Sequence, residues 1–255
     1  MIFDQKSISF QNPNPKVKRN PLVKDRAMSS ALNTVKPVRR KTLQTEVYQQ
    51  LCELILEGNL APGESITVAS IAKAFDVSPM PVREAISRLM AGGALTVVSG
   101  RSIGVPQLDR DVFSDLRNVR LEVESLCIRW AVDNSTPEFK RDIERKLDAM
   151  ISAERAGEVK GFLHANYDFH FAIYRQAGSP VLLEIISNIW LRINPYFHLL
   201  QKFGHYKISN EQHREIVSGL VAGNTERAVN ALREDINSAY NIMVAANFDM
   251  ENTDA

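Results

Sequence analysis

From residue 42 onward, apolar positions recur mostly at helical spacing. In residues 42–57, Leu43, Val47, Leu51, Leu54 and Ile55 share one helical face, and Gly58 with the Ala61–Pro62–Gly63 turn ends that helix. Residues 69–105 change rhythm. Ile71, Ala72 and Phe75 form a short helical stripe, a turn follows at Asp76–Ser78, and a second helix runs through Val82, Ile86 and Leu89. Ser78 suits the N-cap of that helix, and Pro79 suits its first position, where a missing N–H is no loss. After Ala91–Gly92–Gly93, two β-rich runs, Leu95–Val98 and Ile103–Val105, flank a bend at Gly100–Arg101. The pattern is helix, turn, helix and a hairpin wing.

Residues 106–110 read as a short polar linker, and everything beyond is helical. The periodicity predicts helices over 111–133, 137–156, 160–177, 180–202, 210–222 and 225–246, with Pro195 kinking the fourth. The first of these carries Phe113, Leu116, Val123, Leu126, Cys127 and Trp130. The fourth carries Leu182, Ile185, Ile186, Ile189, Trp190 and Ile193. Short connections between such helices imply an antiparallel bundle. The expected fold is therefore mainly α. A winged helix-turn-helix spans 42–106 and an all-α antiparallel bundle spans 111–246, with an arm at 1–41 and a tail at 247–255.

The second helix of a helix-turn-helix enters the major groove of DNA, with residues near its N-terminus reaching the bases. Arg83, one turn into that helix, and Arg101, at the wing tip, are the candidate contacts. Ser78, Met80, Ser99 and Gly100 are expected close to the groove, and two subunits are expected on a short palindrome.

Charge adds to this picture. The net charge of +1 conceals +8 in residues 1–41, −2 in 42–105 and −5 beyond. The arm reads as disordered and solvated, and such a basic segment can still lie along DNA. The chain has 255 residues with 44% apolar content, enough for two cores. It contains no run of 18 apolar residues, so no membrane span is expected. Cys52 and Cys127 both fall in apolar stripes and read as reduced core residues of a cytoplasmic protein.

Four bundle helices break their own apolar stripe. Arg120 falls between Leu116 and Val123. Asn166 and His170, four apart, are framed by Phe162, Leu163 and Ile173. His213 begins the stripe of Ile216, Val217 and Leu220, and Asp235 lies between Leu232 and Ala239. Each has a structural alternative. A single inward histidine can be a hydrogen-bonded core residue, Arg120 and Glu124 can form a helix ion pair, and Asp235 beside Glu234 can face water. Their coincidence on successive helices favours a polar pocket. Its oxygen-and-imidazole ligand set suits Zn, Ni, Mn or Fe without choosing between them.

The run VSPMPVREAISRL (Val77–Leu89), preceded by LILEGNLAPGESI (Leu54–Ile66), resembles the GntR family of bacterial transcription regulators. The Gly-x-Leu-x-Pro-Gly turn and the Pro-Val-Arg-Glu-Ala run carry the likeness. Farther on, VRLEVES (Val119–Ser125), NYDFHFAIYRQAGSP (Asn166–Pro180), HREIVSGLVAGN (His213–Asn224) and AVNALREDI (Ala228–Ile236) resemble the FadR subfamily, whose helical effector domain is called FCD. The resemblance covers residues 42–246. It implies a homodimeric, ligand-responsive DNA-binding protein, commonly a repressor. It also implies that Asn166, His170, His213 and Asp235 bind a divalent metal, with a small organic acid, often a sugar acid or hydroxy acid, beside it. Arg120 matches an arginine facing the effector. Four positions depart from the family pattern: Asp235 stands where histidine is usual, Pro79–Met80 where Arg-Thr is common, and Ala69 where an arginine is common.

Two other readings compete. One is a metal-free regulator whose pocket takes an acyl chain or coenzyme thioester. The other is a helical metal-dependent enzyme with an accessory DNA-binding domain. The chain shows no placed nucleophile, no His-Glu-x-x-His and no Gly-rich phosphate loop, which ranks the enzyme low.

Overall fold

Helix α1 (Leu43–Leu56) buries Val47, Leu51 and Ile55, one residue per turn. Leu43 and Leu54, expected on that face, are exposed instead. Leu54 sits about 100° round the helix from Ile55, and Leu43 is the first residue of the element. The computed structural model describes residues 43–56, 60, 62–107, 109–203 and 205–246; the expectations for the arm at 1–41 and the tail at 247–255 lie outside them.

Helix α2 (Val68–Ala74) begins with a capping box. The Thr67 hydroxyl accepts from the Ser70 N–H at 3.1 Å, and the Ser70 hydroxyl accepts from the Thr67 N–H at 3.0 Å. The turn that follows holds Asp76 at φ 52°, a left-handed conformation that Asp tolerates better than most residues. Helix α3 (Pro79–Ala91) starts at Pro79 and buries Pro81, Val82, Ala85, Ile86 and Leu89. Ser78 takes the N-cap position, but its hydroxyl makes no capping bond.

Strands β1 (Ile66–Thr67), β2 (Thr96–Ser99) and β3 (Ser102–Gly104) form an antiparallel sheet in the order β1-β3-β2. β1 was not foreseen, because two residues carry no readable period. Gly104 lets the sheet close, since a Cβ there would collide with the Glu64 carbonyl oxygen.

The bundle comprises α4 (Arg110–Asp133), α5 (Pro137–Ala156), α6 (Val159–Gln176), α7 (Pro180–Ile193), α8 (His205–Ala222) and α9 (Thr225–Val244). Asp109 caps α4, accepting from the Val112 N–H at 2.9 Å. The expected stripe of α4 is corrected in part. Phe113, Leu116, Arg120, Glu124, Cys127 and Ala131 are buried, whereas Leu126 and Trp130 lie on another face with Val112 and Val119, all exposed. Ile185 of α7 is exposed too.

Residues 180–202 do not form one kinked helix. α7 ends at Ile193, and the chain tightens into a 3-10 helix over Asn194–Phe203. Proline at its second position cannot donate the N–H that would continue α7. This 3-10 helix reaches the winged domain: the Asn194 amide donates to the Leu56 carbonyl, and the Tyr196 hydroxyl donates to the Pro106 carbonyl. Both domains fall within one compact unit, Lys41–Ala255.

Candidate functional site

Helices α6, α8 and α9 bring His170, His213 and Asp235 together. The two imidazole Nε2 atoms stand 3.1 Å apart. His170 Nε2 lies 3.6 Å from Asp235 Oδ2, and His213 Nε2 lies 3.5 Å from Asp235 Oδ1. All three residues are buried, and their ligand-type atoms lie within 4.8 Å of one another. Ser209, one turn before His213 on α8, donates to Asp235 Oδ1 at 2.8 Å. Gly219 permits this convergence. A Cβ there would stand 2.6 Å from the Ala228 backbone N, so only glycine lets α8 and α9 approach so closely.

The electrostatics suit ligation. Burial pushes the His170 imidazole down to about 3, and neighbouring His213 and Arg120 act in the same direction against Asp235. The ring is neutral at physiological pH. Burial alone would raise the Asp235 carboxyl, but His213 and the Ser209 hydrogen bond outweigh it and hold the group below the usual carboxylate range. The site thus pairs an ionised carboxylate with a neutral imidazole, the protonation states a divalent cation requires.

A second tier of side chains orients the first. Tyr174 donates its hydroxyl proton to Glu124 Oε2, and the Tyr174 hydroxyl oxygen lies 3.2 Å from His170 Nδ1. With its proton committed, the phenol accepts from Nδ1–H. This assigns the tautomer and turns the Nε2 lone pair toward His213 and Asp235. Glu124 is fully engaged. Its Oε1 accepts from Arg120 Nε at 2.6 Å and from Trp190 Nε1 at 3.2 Å, and Arg120 Nη2 reaches Oε2 at 3.4 Å.

His170 and Asp235 border a cavity of about 20 Å³, room for little more than a single water or ion. Arg120, Asn166, His170, Ser209 and Asp235 supply its polar wall; Phe162, Leu163, Trp190, Phe197, Leu200 and Ile236 supply most of its apolar wall. The alternatives left open for Arg120 both hold in part: it forms the ion pair with Glu124, and it lines the cavity. Sequence reading had not placed Tyr174, Trp190 or Ser209 at the site. Spacing is the one trace two of these leave in the sequence: Tyr174 follows His170 by four residues and Ser209 precedes His213 by four.

The candidate DNA contacts lie elsewhere, on the winged domain. Ser78, Met80 and Arg83 are exposed at the start of α3. Ser99, Gly100 and Arg101 are exposed at the β2–β3 turn, with Gly100 at φ 52°. Arg88, farther along α3, packs instead over the Tyr48 ring of α1, 3.9 Å from its centroid.

Comparison with known proteins gives the following. The family described as "Bacterial regulatory proteins, gntR family" matches residues 43–105, and the FCD domain matches residues 115–238. The HTH-type transcriptional regulator McbR of Escherichia coli (strain K12) is 28% identical over 64% of this chain and 74% of its own length. A probable D-xylose utilization operon transcriptional repressor of Paenarthrobacter nicotinovorans is 26% identical, over 81% of this chain and 91% of its own. The solved structure of E. coli McbR/YncC superposes with a TM-score of 0.74 at 26% identity, covering 80% of this chain and 98% of that one. A putative GntR regulator from Rhodococcus sp. RHA1 shares the fold, with a TM-score of 0.68 at 24% identity over 80% of this chain and 98% of its own.

Proposed function

Because this chain belongs to the GntR family of bacterial regulators, carries an FCD domain and is a transcription regulator rather than an enzyme, we propose that it is a homodimeric, metabolite-controlled repressor of the bacterial cytoplasm. Its winged domain reads a palindromic operator through Arg83 and Arg101, with Ser78, Met80, Ser99 and Gly100 against the groove. Its FCD domain holds a divalent cation (Zn, Ni, Mn or Fe) on Asn166, His170, His213 and Asp235, and a small carboxylate effector binds beside that ion within reach of Arg120. The observation that carries this reading is the burial of three ligand-type side chains around one point. Such groups are expensive in an apolar core, and one cation satisfies several of them together. When bound, the cation supplies positive charge and open coordination positions for a carboxylate.

Two further observations support the reading. Val112, Val119, Leu126 and Trp130 form an exposed apolar stripe along α4, a surface suited to a second copy of the chain. The polar wall of Arg120, Asn166, His170, Ser209 and Asp235 does not suit an acyl chain, which weighs against the metal-free alternative. No helix among the described residues is long and apolar enough to cross a membrane.

The test compares wild type with the double variant His170→Ala and His213→Ala, and with Arg83→Ala. The double variant is expected to lose metal in elemental analysis of protein purified without chelator, and to lose the effector response in operator gel shifts, while still binding operator. Arg83→Ala should retain metal and lose about 1–3 kcal/mol of operator affinity. A double variant that responds to effector at full strength would sink the assignment.

A further inference from the structure

We propose that Met80 reads the 5-methyl group of a thymine in the major groove of the operator, within about two base pairs of the base that Arg83 contacts. This rests on the operator-reading role proposed above for the winged domain and deepens it into a specificity-determining contact. Three observations carry it.

The first is direction. Val82, Ala85, Ile86 and Leu89 form the buried stripe of α3. At about 100° per residue, their mean direction lies roughly half a turn from that of Met80. Met80 therefore stands on the crest of the helix, pointing away from the core, and it is 67% exposed. A single exposed methionine needs no explanation on most surfaces. This one occupies the first turn of the helix that enters the groove, where residues reach the bases.

The second is the chemistry of that face. Arg83, Glu84 and Ser87 share it with Met80, and all are exposed. Arg88, farther round the helix, is turned aside over the Tyr48 ring, 3.9 Å from its centroid. Arg83 donates hydrogen bonds, Glu84 accepts them and Ser87 does both. Met80 is the large apolar side chain among them. Base edges in the major groove present donors, acceptors and one apolar group, the thymine methyl. A polarisable, unbranched side chain such as methionine adapts readily to a methyl group.

The third is the helix tip. Pro79 and Pro81 stand at the first and third positions of α3, so two of the N–H groups that would point out of its N-terminus are missing. That end is poorly equipped to hold a phosphate through its backbone. Packing against a base is the contact left to the Met80 side chain. Met80 precedes Arg83 by three residues, about 4.5 Å along the helix axis. Base pairs are spaced by about 3.4 Å, which sets the expected distance between the two contacts.

The experiment selects a duplex from a random-sequence pool with the full-length wild-type protein. Its affinity is then measured by fluorescence anisotropy for wild type, Arg83→Ala and Met80→Ala. Each thymine of the half-site is replaced in turn by deoxyuridine, in both half-sites together, which removes the methyl and keeps the base-pair hydrogen bonds. At one position the replacement is expected to weaken wild-type binding about fourfold per half-site, about sixteenfold in all, and to leave Met80→Ala binding within about twofold. No sensitive thymine in wild type, or a loss in Met80→Ala equal to that in wild type, would overturn the inference. A weakened Arg83→Ala would in that case leave the operator-reading role standing. Wild-type affinity in Arg83→Ala, or recovery of no duplex from the pool, would overturn that role and this inference with it.

Discussion

Tyr174 decides which nitrogen of His170 faces the cavity. Its hydroxyl sits between Glu124 and His170 Nδ1, so removing it leaves the ring without the partner that fixes its tautomer. Tyr174→Phe is expected to weaken zinc retention about 10–100-fold, read by competition with a chromogenic chelator, with the fold retained. An unchanged zinc affinity would show that the phenol serves packing alone. Residue chemistry was legible in the sequence where it violated an apolar stripe: Arg120, Asn166, His170, His213 and Asp235 announced themselves because charged or amide groups stood where a core side chain was due. Tyr174 and Trp190 did not. Each carries one polar atom on a large apolar body, so each fits its stripe and hides its hydrogen bond. Ser209 was hidden for another reason, lying one residue ahead of the expected start of its helix.

At the scale of elements, the pairing of α8 with α9 sets the distance between His213 and Asp235. Gly219→Ala would bring a methyl group within 2.6 Å of the Ala228 backbone. The helices must part to admit it, at about 1–3 kcal/mol, seen as a lowered melting temperature. Zinc affinity should fall as well, because the ligands move apart with their helices. A variant with wild-type melting and wild-type zinc affinity would show that the contact has no part in shaping the site. Helices were legible wherever apolar residues repeated over several turns. Boundaries failed where backbone chemistry rather than periodicity governs them, as at Asn194–Pro195, where a helix becomes a 3-10 turn. Faces failed on α4, where Leu126 and Trp130 made the exposed stripe look like the buried one. One helix can carry two apolar stripes, and its sequence does not say which of them the bundle covers.

For the whole molecule, charge divides the labour. The +8 carried by residues 1–41 matches a phosphate surface, and the −5 beyond residue 105 does not. Deleting residues 1–38 is expected to flatten the slope of log operator affinity against log salt, because fewer counterions are released, and to leave the melting temperature in place. An unchanged slope would mean the arm is idle on DNA. The two-domain plan itself was readable from the sequence, but the way the domains touch was not, since that contact depends on single hydrogen bonds between distant residues. The 3-10 helix makes this contact. On one side Phe197 and Leu200 wall the cavity, and on the other Asn194 and Tyr196 hold the carbonyls of Leu56 and Pro106. On the proposed reading, a ligand that presses on Phe197 or Leu200 presses on the element that carries the tether. The two binding events then share one free energy, and reciprocity follows: operator DNA must alter effector affinity by the same factor by which effector alters operator affinity. Calorimetry with and without operator should return equal factors for wild type, and both should shrink together toward one in Asn194→Ala with Tyr196→Phe. Undiminished factors in that variant would place the coupling in another part of the interface.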